Sequence, residues 1–117
     1  MRSDAWTVSV GGAQLAVSEV GPPEAPAWVL AHGAGSSARF VRAAFAGPVL
    51  ATGRRLIAYD LRGHGASSPA RAPEDHHLDV HAGDLAAVVA RVPGVEVVGG
   101  ISLGAHVAVR AVADGLA

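Results

Sequence analysis

Ser102 stands between two glycines in the segment Gly100-Ile101-Ser102-Leu103-Gly104, near the end of the sequence. A serine hydroxyl is a weak nucleophile until a base removes its proton, so a reactive serine needs an exposed position and a basic partner. A sharp turn from a strand into a helix provides the exposure, and glycines around the serine relieve collisions within the turn. The amide of Leu103 would then lie at a helix amino terminus, where it favours negative charge on a substrate oxygen.

The residues on both sides of this segment predict such a turn. The segment Val95 to Val98, which is apolar apart from Glu96, predicts a buried strand, and residues 105–113 have helical character. This strand–turn–helix context is what the Gly-x-Ser-x-Gly pattern of a nucleophile elbow requires. The alternative interpretation is an ordinary strand-to-helix turn in which the side chain of Ser102 caps the helix.

Two further loops carry residues that could take part in chemistry. The glycine-rich loop from His32 to Ser37 follows the apolar strand Ala27 to Ala31, and such a loop can supply the second amide of an oxyanion hole. By itself, however, this loop is explained as well by a flexible connector in which His32 has a structural role. The loop from Asp60 to Ser67 follows the strand Arg55 to Tyr59.

The composition of the second loop favours structure over catalysis. Asp60, Arg62 and His64 are all capable of acid–base chemistry, but Gly63 and Gly65 flank the histidine. Such glycines are typical of a tight loop, and we expect Asp60 and Arg62 to anchor its backbone.

The rest of the pattern predicts the scaffold. Residues 6–10 and 14–20 alternate around Gly11-Gly12, which predicts a β-hairpin. A short helix is predicted at residues 39–45, capped by Ser36 or Ser37, and we expect Gly47-Pro48 to interrupt it. A second helix begins near His77 and ends before Pro93-Gly94, because apolar residues recur there every three to four positions.

This order of elements predicts an α/β fold, in which an N-terminal β-hairpin is followed by parallel strands joined by crossover helices. Ligands of such sheets bind beyond the carboxyl ends of the strands, where both glycine-rich segments lie.

Composition excludes several classes of function. Half of the 117 residues are hydrophobic, 16% are charged and the formal net charge is −1, which indicates one domain with a core and no basic surface for nucleic acid. The sequence contains no cysteine, so it has no thiol nucleophile or thiolate metal site. We find neither a signal-like apolar start nor the ~18 apolar residues of a membrane span, and we expect a cytoplasmic protein that does not bind membranes.

In combination, the motifs resemble the α/β-hydrolase superfamily. A strand ending in His-Gly, the segment Asp-Leu-Arg-Gly-His-Gly-Ala-Ser, Asp84-Leu85 on a helix and the Gly-x-Ser-x-Gly pattern follow one another as in its amino-terminal half. The resemblance covers essentially the whole chain. It implies that Ser102 is the nucleophile and that the amides of Ala34 and Leu103 form the oxyanion hole, supported by the motif residues His32, Gly33, Gly100 and Gly104.

The resemblance also distinguishes between branches of the family that use different nucleophiles. A serine at the elbow differs from the carboxylate nucleophile of the dehalogenase and epoxide-hydrolase branches. Ala105 differs slightly from the family's elbow motif, because many members have a second glycine at that position. No cofactor is implied.

The acid and the histidine of the family's triad follow later strands, which leads us to expect that residues 1–117 are the amino-terminal portion of a single domain, truncated after the elbow helix. No histidine in the sequence is a convincing replacement. His106 lies one helical turn beyond Ser102 and does not face its hydroxyl, and His32 and His64 are assigned structural roles. We expect the third parallel strand to form an open edge that allows self-association.

Metal binding is a weaker interpretation. His77, His81 and Asp84 have a spacing that could chelate a divalent ion, but a solvated helix start explains them more simply, and no metal site is predicted.

Two functions remain open. The first is a serine hydrolase that cleaves small-molecule esters, lactones or thioesters through an acyl-enzyme on Ser102; the second is a non-catalytic remnant without the triad acid and histidine. A nucleotide-binding doubly wound domain has less support, because residues 33–38 lack the third glycine of the Gly-x-Gly-x-x-Gly pattern.

Overall fold

The structure is a computed structural model that describes residues 3–116. Its elements in chain order are β1 (Ser3–Val10), β2 (Ala13–Val20), β3 (Ala27–Ala31), α1 (Ala38–Ala51), β4 (Arg55–Tyr59), a short 3-10 helix (Pro73–His76), α2 (Leu78–Ala90), β5 (Val95–Gly100) and α3 (Leu103–Ala113).

The five strands form one mixed sheet in the order β1-β2-β4-β3-β5. The antiparallel hairpin β1–β2 turns at Gly11-Gly12, and β2 continues the sheet antiparallel to β4. Strands β4, β3 and β5 are mutually parallel. The predicted α/β fold, with its hairpin and its three parallel strands, is confirmed. Because parallel strands end at the same edge, the segments after β3, β4 and β5 meet there.

Of the three α-helices in the described chain, α1 lies on one face of the sheet, and α2 and α3 lie on the other. On β4, Leu56 and Ala58 belong to the cluster packed against α1, whereas Ile57 and Tyr59 belong to the cluster packed against α2 and α3. All four side chains are fully buried. A strand covered on both faces needs apolar residues at consecutive positions, which explains the uninterrupted apolar runs in β3 and β4.

Helix α1 is longer than the sequence predicts. The predicted interruption at Gly47-Pro48 is wrong, since the helix continues through Pro48 to Ala51. Val41 and Val49, on either side of the interruption, are both buried in the same cluster against the sheet. Burial of both side chains offsets the free-energy cost of the backbone hydrogen bond that is lost at the proline. Of the two predicted caps, Ser37 is the one observed, since its Oγ accepts the amide of Phe40 at 3.4 Å.

Strand β5 forms one edge of the sheet. It pairs with β3, and within residues 3–116 no other strand pairs with its opposite side. Next to this edge, α3 presents Val109 and Val112, which are 70% and 56% exposed. None of the helices in the described residues has the length and apolarity needed to cross a membrane.

Candidate active site

The turn between β5 and α3 holds Ser102 in an unusual backbone conformation. Its φ and ψ angles are +55° and −115°, and among residues 3–116 it is the one non-glycine residue with a positive φ. Such a conformation costs free energy and persists only where the surroundings enforce it. Ser102 is exposed and precedes α3 directly, but its side chain makes no capping hydrogen bond. The alternative of an ordinary capping serine is therefore not what the structure contains.

Two glycines make this turn sterically possible. A Cβ atom on Gly100 would overlap the carbonyl of Gly104 and lie 2.7 Å from the amide nitrogen of Ala105. A Cβ atom on Gly104 would overlap the carbonyl oxygen of Ala31 and lie 2.7 Å from that of His32. Real Cβ atoms essentially never approach other atoms this closely. The two glycines thus allow the elbow to fold back on itself and allow α3 to cross the end of β3.

The loop after β3, residues 32–37 and hereafter the β3 loop, lies directly beside the elbow. The amide of Ile101 donates to the carbonyl of Ala31 at 3.0 Å. A Cβ atom on Gly33 would lie 3.5 Å from the Cβ of Ser102. The two glycine-rich segments that the sequence separates by about 70 positions are therefore adjacent, as the parallel topology requires.

The amides of Ala34 and Leu103 are both free to donate. The structure places Ala34 in the exposed part of the β3 loop and Leu103 at the first position of α3. Within the described part of the chain, neither amide has a hydrogen-bond acceptor. Unpaired amides at a helix start and in a neighbouring loop are groups that can receive an anionic oxygen.

His32 links the β3 loop to the loop after β4. Its ring is fully buried, with Nδ1 2.6 Å from the carbonyl of Gly33 and Nε2 2.9 Å from the amide of Leu61. Because a carbonyl only accepts and an amide only donates, these partners select the neutral ring with its proton on Nδ1. Burial lowers the pKa of His32, which favours the same neutral form. His32 is therefore a bridge between two loops.

The loop after β4, residues 60–68 and hereafter the β4 loop, is anchored by Asp60. Its carboxylate accepts the amide of Ala38 at 2.8 Å and the amide of Ala66 at 2.9 Å. It thereby joins the β4 loop to the start of α1. Ser67 is buried and connects the same loop to β2, since its Oγ accepts the amide of Ala16 at 2.9 Å.

Arg62 contacts the backbone, as the sequence predicts, but its shorter contacts are with another side chain. Its guanidinium pairs with both carboxylate oxygens of Asp84 on α2, at 2.8 and 3.0 Å, and its longer contact to the carbonyl of Val10 is 3.4 Å. Asp84 is 1% exposed, so burial raises its pKa while the guanidinium opposes that rise. The main role of Arg62 is to neutralise a buried carboxylate between the β4 loop and α2.

The histidines at the start of α2 do not share one environment. His77 is exposed, but His81 is only 1% exposed, so the prediction of a solvated helix start is wrong for His81. His81 lies on the same helical face as the buried residues Ala82 and Leu85, and burial lowers its pKa. With Asp84 bound to Arg62, these residues do not form a ligand set; in the part of the chain that is described, no three metal-ligating side chains cluster.

His64 makes a contact that the sequence does not reveal. Its Nε2 accepts the amide of Gly35 in the β3 loop at 3.0 Å, and its Nδ1 lies 3.1 Å from the carbonyl of Arg62. The glycines that flank His64 indicated a tight loop, but no periodicity links residue 64 to residue 35. Only the pairing of β3 with β4 brings the two loops together.

No general base faces Ser102 among residues 3–116. The acceptor nitrogens of His32 and His64 are both occupied by backbone amides. His106 is exposed on α3, and none of the described hydrogen bonds connects a histidine to the hydroxyl of Ser102. The described chain thus brings together an exposed serine and two unpaired amides without a base.

Comparison with known proteins agrees with this geometry. The family model described as "alpha/beta hydrolase fold" matches residues 26–115. No curated protein matches the chain by sequence. Among solved structures, the thioesterase domain from the curacin biosynthetic pathway is 25% identical with a TM-score of 0.86, and the chain, matched over 97% of its length, spans 41% of that domain.

Two further solved structures are similar. The proline iminopeptidase-related protein from Thermus thermophilus is 31% identical over 98% of the chain, with a TM-score of 0.82. Epoxide hydrolase A from Mycobacterium thermoresistibile is 28% identical over 94% of the chain, with a TM-score of 0.79. The chain spans 41% and 34% of the lengths of these two proteins. The match to the family model covers most of the sequence and contains the β3 loop, the β4 loop and the elbow, and the chain belongs to the α/β-hydrolase fold family.

Proposed function

We propose that this chain provides the nucleophile and the oxyanion hole of a serine hydrolase that acts on ester-like bonds. The observation that carries the proposal is the strained, exposed conformation of Ser102 beside two unpaired amides. Strain is retained where it serves a geometric purpose, and here it presents a hydroxyl at the carboxyl edge of a parallel sheet.

In the reaction, the Oγ atom of Ser102 attacks the carbonyl carbon of the substrate while a base accepts the hydroxyl proton. The carbonyl oxygen becomes negatively charged and receives hydrogen bonds from the amides of Ala34 and Leu103. The base then gives this proton to the leaving group as the bond to that group breaks, which yields an acyl-enzyme. Water attacks the acyl-enzyme and releases the acid together with the free serine.

The nature of the nucleophile favours acyl substrates. An alcohol such as Ser102 forms an ester with an acyl group, which water can hydrolyse once an oxyanion hole is present. The substrate classes that follow are small-molecule esters, lactones and thioesters. Similarity to a thioesterase domain supports this choice, whereas the likeness to epoxide hydrolases concerns the shared scaffold.

The proposal is tested with a fluorophosphonate probe and with p-nitrophenyl acetate on the purified chain. We expect the probe to attach to Ser102 and the ester to be cleaved slowly, because the oxyanion hole and binding retain part of the catalysis when triad members are missing. Ser102→Ala abolishes labelling and slows ester cleavage, whereas Ser9→Ala, which removes an exposed hydroxyl on β1, leaves both unchanged.

A second measurement supplies the missing base from solution. Free imidazole at increasing concentration is expected to accelerate ester cleavage by the native chain more than by Ser102→Ala, after the buffer rate is subtracted. Equal rates for the two proteins at every imidazole concentration, with no labelling of Ser102, would contradict the proposal. That outcome would support the alternative, a non-catalytic remnant.

The exposed edge of β5 supports a proposal about partners. We propose that two copies of this chain associate along β5, because an unpaired strand edge beside the exposed Val109 and Val112 can pair with another strand.

A further inference from the structure

We propose that His64 is a positioning residue, which holds the β3 loop against the elbow when its ring is neutral and releases the loop when the ring is protonated. The inference rests on the proposed function of the β3 loop as one side of the oxyanion hole.

The first argument is the hydrogen bonding of the ring. The Gly35 amide can only donate, so Nε2 of His64 must carry a lone pair at 3.0 Å from it. The carbonyl of Arg62 can only accept, so the proton lies on Nδ1. A protonated ring carries hydrogen on both nitrogens, and Nε2–H would then face another N–H donor. The contact with Gly35 therefore exists in the neutral state alone.

The second argument is the position of Gly35. It directly follows Ala34, and the turn is closed by the Ser36 amide, which donates to the carbonyl of Gly33 at 3.1 Å. Both Ala34 and Gly35 are exposed, so burial does not hold this part of the loop. Among the hydrogen bonds of residues 3–116, the one to His64 is the bond that ties the Ala34–Gly35 peptide to the rest of the protein.

The third argument is the rigidity of the support. The amide of His64 donates to the carbonyl of Leu61 at 2.9 Å, and the carbonyl of His64 accepts the amide of Ser67 at 3.1 Å. Asp60 holds the same loop to α1. The β4 loop is thus held by several hydrogen bonds, whereas the Ala34–Gly35 part of the β3 loop is held by few. We therefore infer that His64, fixed in the β4 loop, holds the β3 loop in position.

The charged and titratable groups around His64 come from β3, α2, the 3-10 helix and the β4 loop itself. His32, at the end of β3, has its ring centroid 4.9 Å away, and His81 on α2 also interacts with His64 electrostatically. Burial lowers the pKa of both, so both remain neutral where an ordinary histidine begins to ionise. In its own loop, Asp60 and Arg62 carry charges of opposite sign, and Arg62 also faces the carboxylates of Asp84 on α2, at 2.8 Å, and of Asp75 in the 3-10 helix, at 4.0 Å. His76, in the same 3-10 helix, lies against the neighbouring Gly63, where a Cβ atom would be 3.1 Å from its ring.

The first test is an NMR titration of the full ¹⁵N-labelled chain between about pH 5 and about pH 8, the range in which histidines ionise. We expect the amide resonance of Gly35 to shift with the same midpoint as the imidazole resonances of His64. A Gly35 resonance that stays constant while His64 titrates would overturn the proposal.

The second test compares two substitutions. His64→Leu removes the acceptor, whereas His64→Gln keeps a side-chain oxygen that can accept the Gly35 amide. We expect hydrogen exchange at Gly35, measured relative to the amides of β3, to accelerate about two- to tenfold in His64→Leu and to be largely restored in His64→Gln. His77→Leu, at an exposed histidine, is the control that leaves Gly35 unchanged. Equal exchange at Gly35 in all four proteins would also overturn the proposal.

A third measurement relates the contact to reactivity. Labelling of Ser102 by the fluorophosphonate probe is expected to slow about two- to tenfold in His64→Leu and to recover in His64→Gln. If no protein is labelled, the proposed hydrolase function fails, and the two NMR measurements still decide whether His64 positions the loop. If labelling occurs at equal rates in all variants, the positioning role is refuted while the hydrolase function stands.

Discussion

Replacing Gly104 by alanine tests whether α3 crosses the end of β3 as closely as the structure indicates. The added Cβ would overlap the carbonyl oxygen of Ala31, and it would lie 2.6 Å from the carbonyl carbon of that residue. Carbon atoms in favourable contact are about 3.5 to 4.0 Å apart, so α3 has to move by about 1 Å. The obstructing atoms are backbone atoms at the end of a buried strand, and no rotamer change can relieve the overlap.

The expected free-energy change follows from two opposing effects. Overpacking a buried site costs about 1 to 3 kcal/mol, and the upper end applies here because the backbone itself must shift. Alanine in a helix is favoured over glycine by about 1 kcal/mol, which offsets part of that cost. We therefore expect Gly104→Ala to lower the free energy of unfolding by about 2 kcal/mol, which corresponds to a decrease in Tm of about 8 °C.

Gly83→Ala provides a matched control. Gly83 is also within a helix, but a Cβ atom there would meet nothing within 4 Å. The same chemical change should therefore raise the free energy of unfolding by about 0.5 to 1 kcal/mol. Urea denaturation followed by circular dichroism measures both variants against the native chain.

The reasoning is refuted if both substitutions change the free energy of unfolding in the same direction. If Gly104→Ala and Gly83→Ala both stabilise the protein, α3 does not approach the end of β3 closely, and the steric account of the elbow is incorrect. A destabilised Gly104→Ala together with a stabilised Gly83→Ala supports the close crossing that places Ser102 beside the β3 loop.

Three further outcomes follow from the buried charges and the open edge. Arg62→Met should cost about 3 kcal/mol of stability in urea denaturation, because it leaves the buried carboxylate of Asp84 without its partner. An unchanged urea midpoint would show that the pair contributes nothing. The pKa values of His32 and His81 are lowered by burial, so below about pH 6.5 the unfolded chain binds more protons than the folded one. The free energy of unfolding should therefore fall as the pH drops below that value. A urea denaturation midpoint that stays constant from about pH 7.5 to about pH 5 would contradict the burial of the two histidines. Val97→Lys should prevent concentration-dependent association in sedimentation velocity, because lysine blocks pairing at a strand edge, and equal association by both proteins would place the interface elsewhere.

Local patterns in the sequence were sufficient to predict most elements of the fold. The hairpin around Gly11-Gly12 and the buried strands at Ala27–Ala31 and Arg55–Tyr59 occur where alternation and apolar runs place them. The turn at Ser102 could also be predicted from the sequence, because the two glycines around Ser102 belong to one short segment. Helix α1 was an exception, since burial of Val49 beyond Pro48 is a tertiary effect that overrides the local signal for a helix end.

The contacts within the candidate site were decided by the tertiary structure. His64 meets Gly35 across 29 positions, and Arg62 meets Asp84 across 22. Local periodicity carries no information about such pairs, because the first depends on which strands are neighbours in the sheet and the second on where α2 packs against it. The candidate nucleophile, Ser102, is thus indicated by a short segment with its own steric requirement, whereas the loops that surround it are brought together only when β3, β4 and β5 align in parallel and end at one edge.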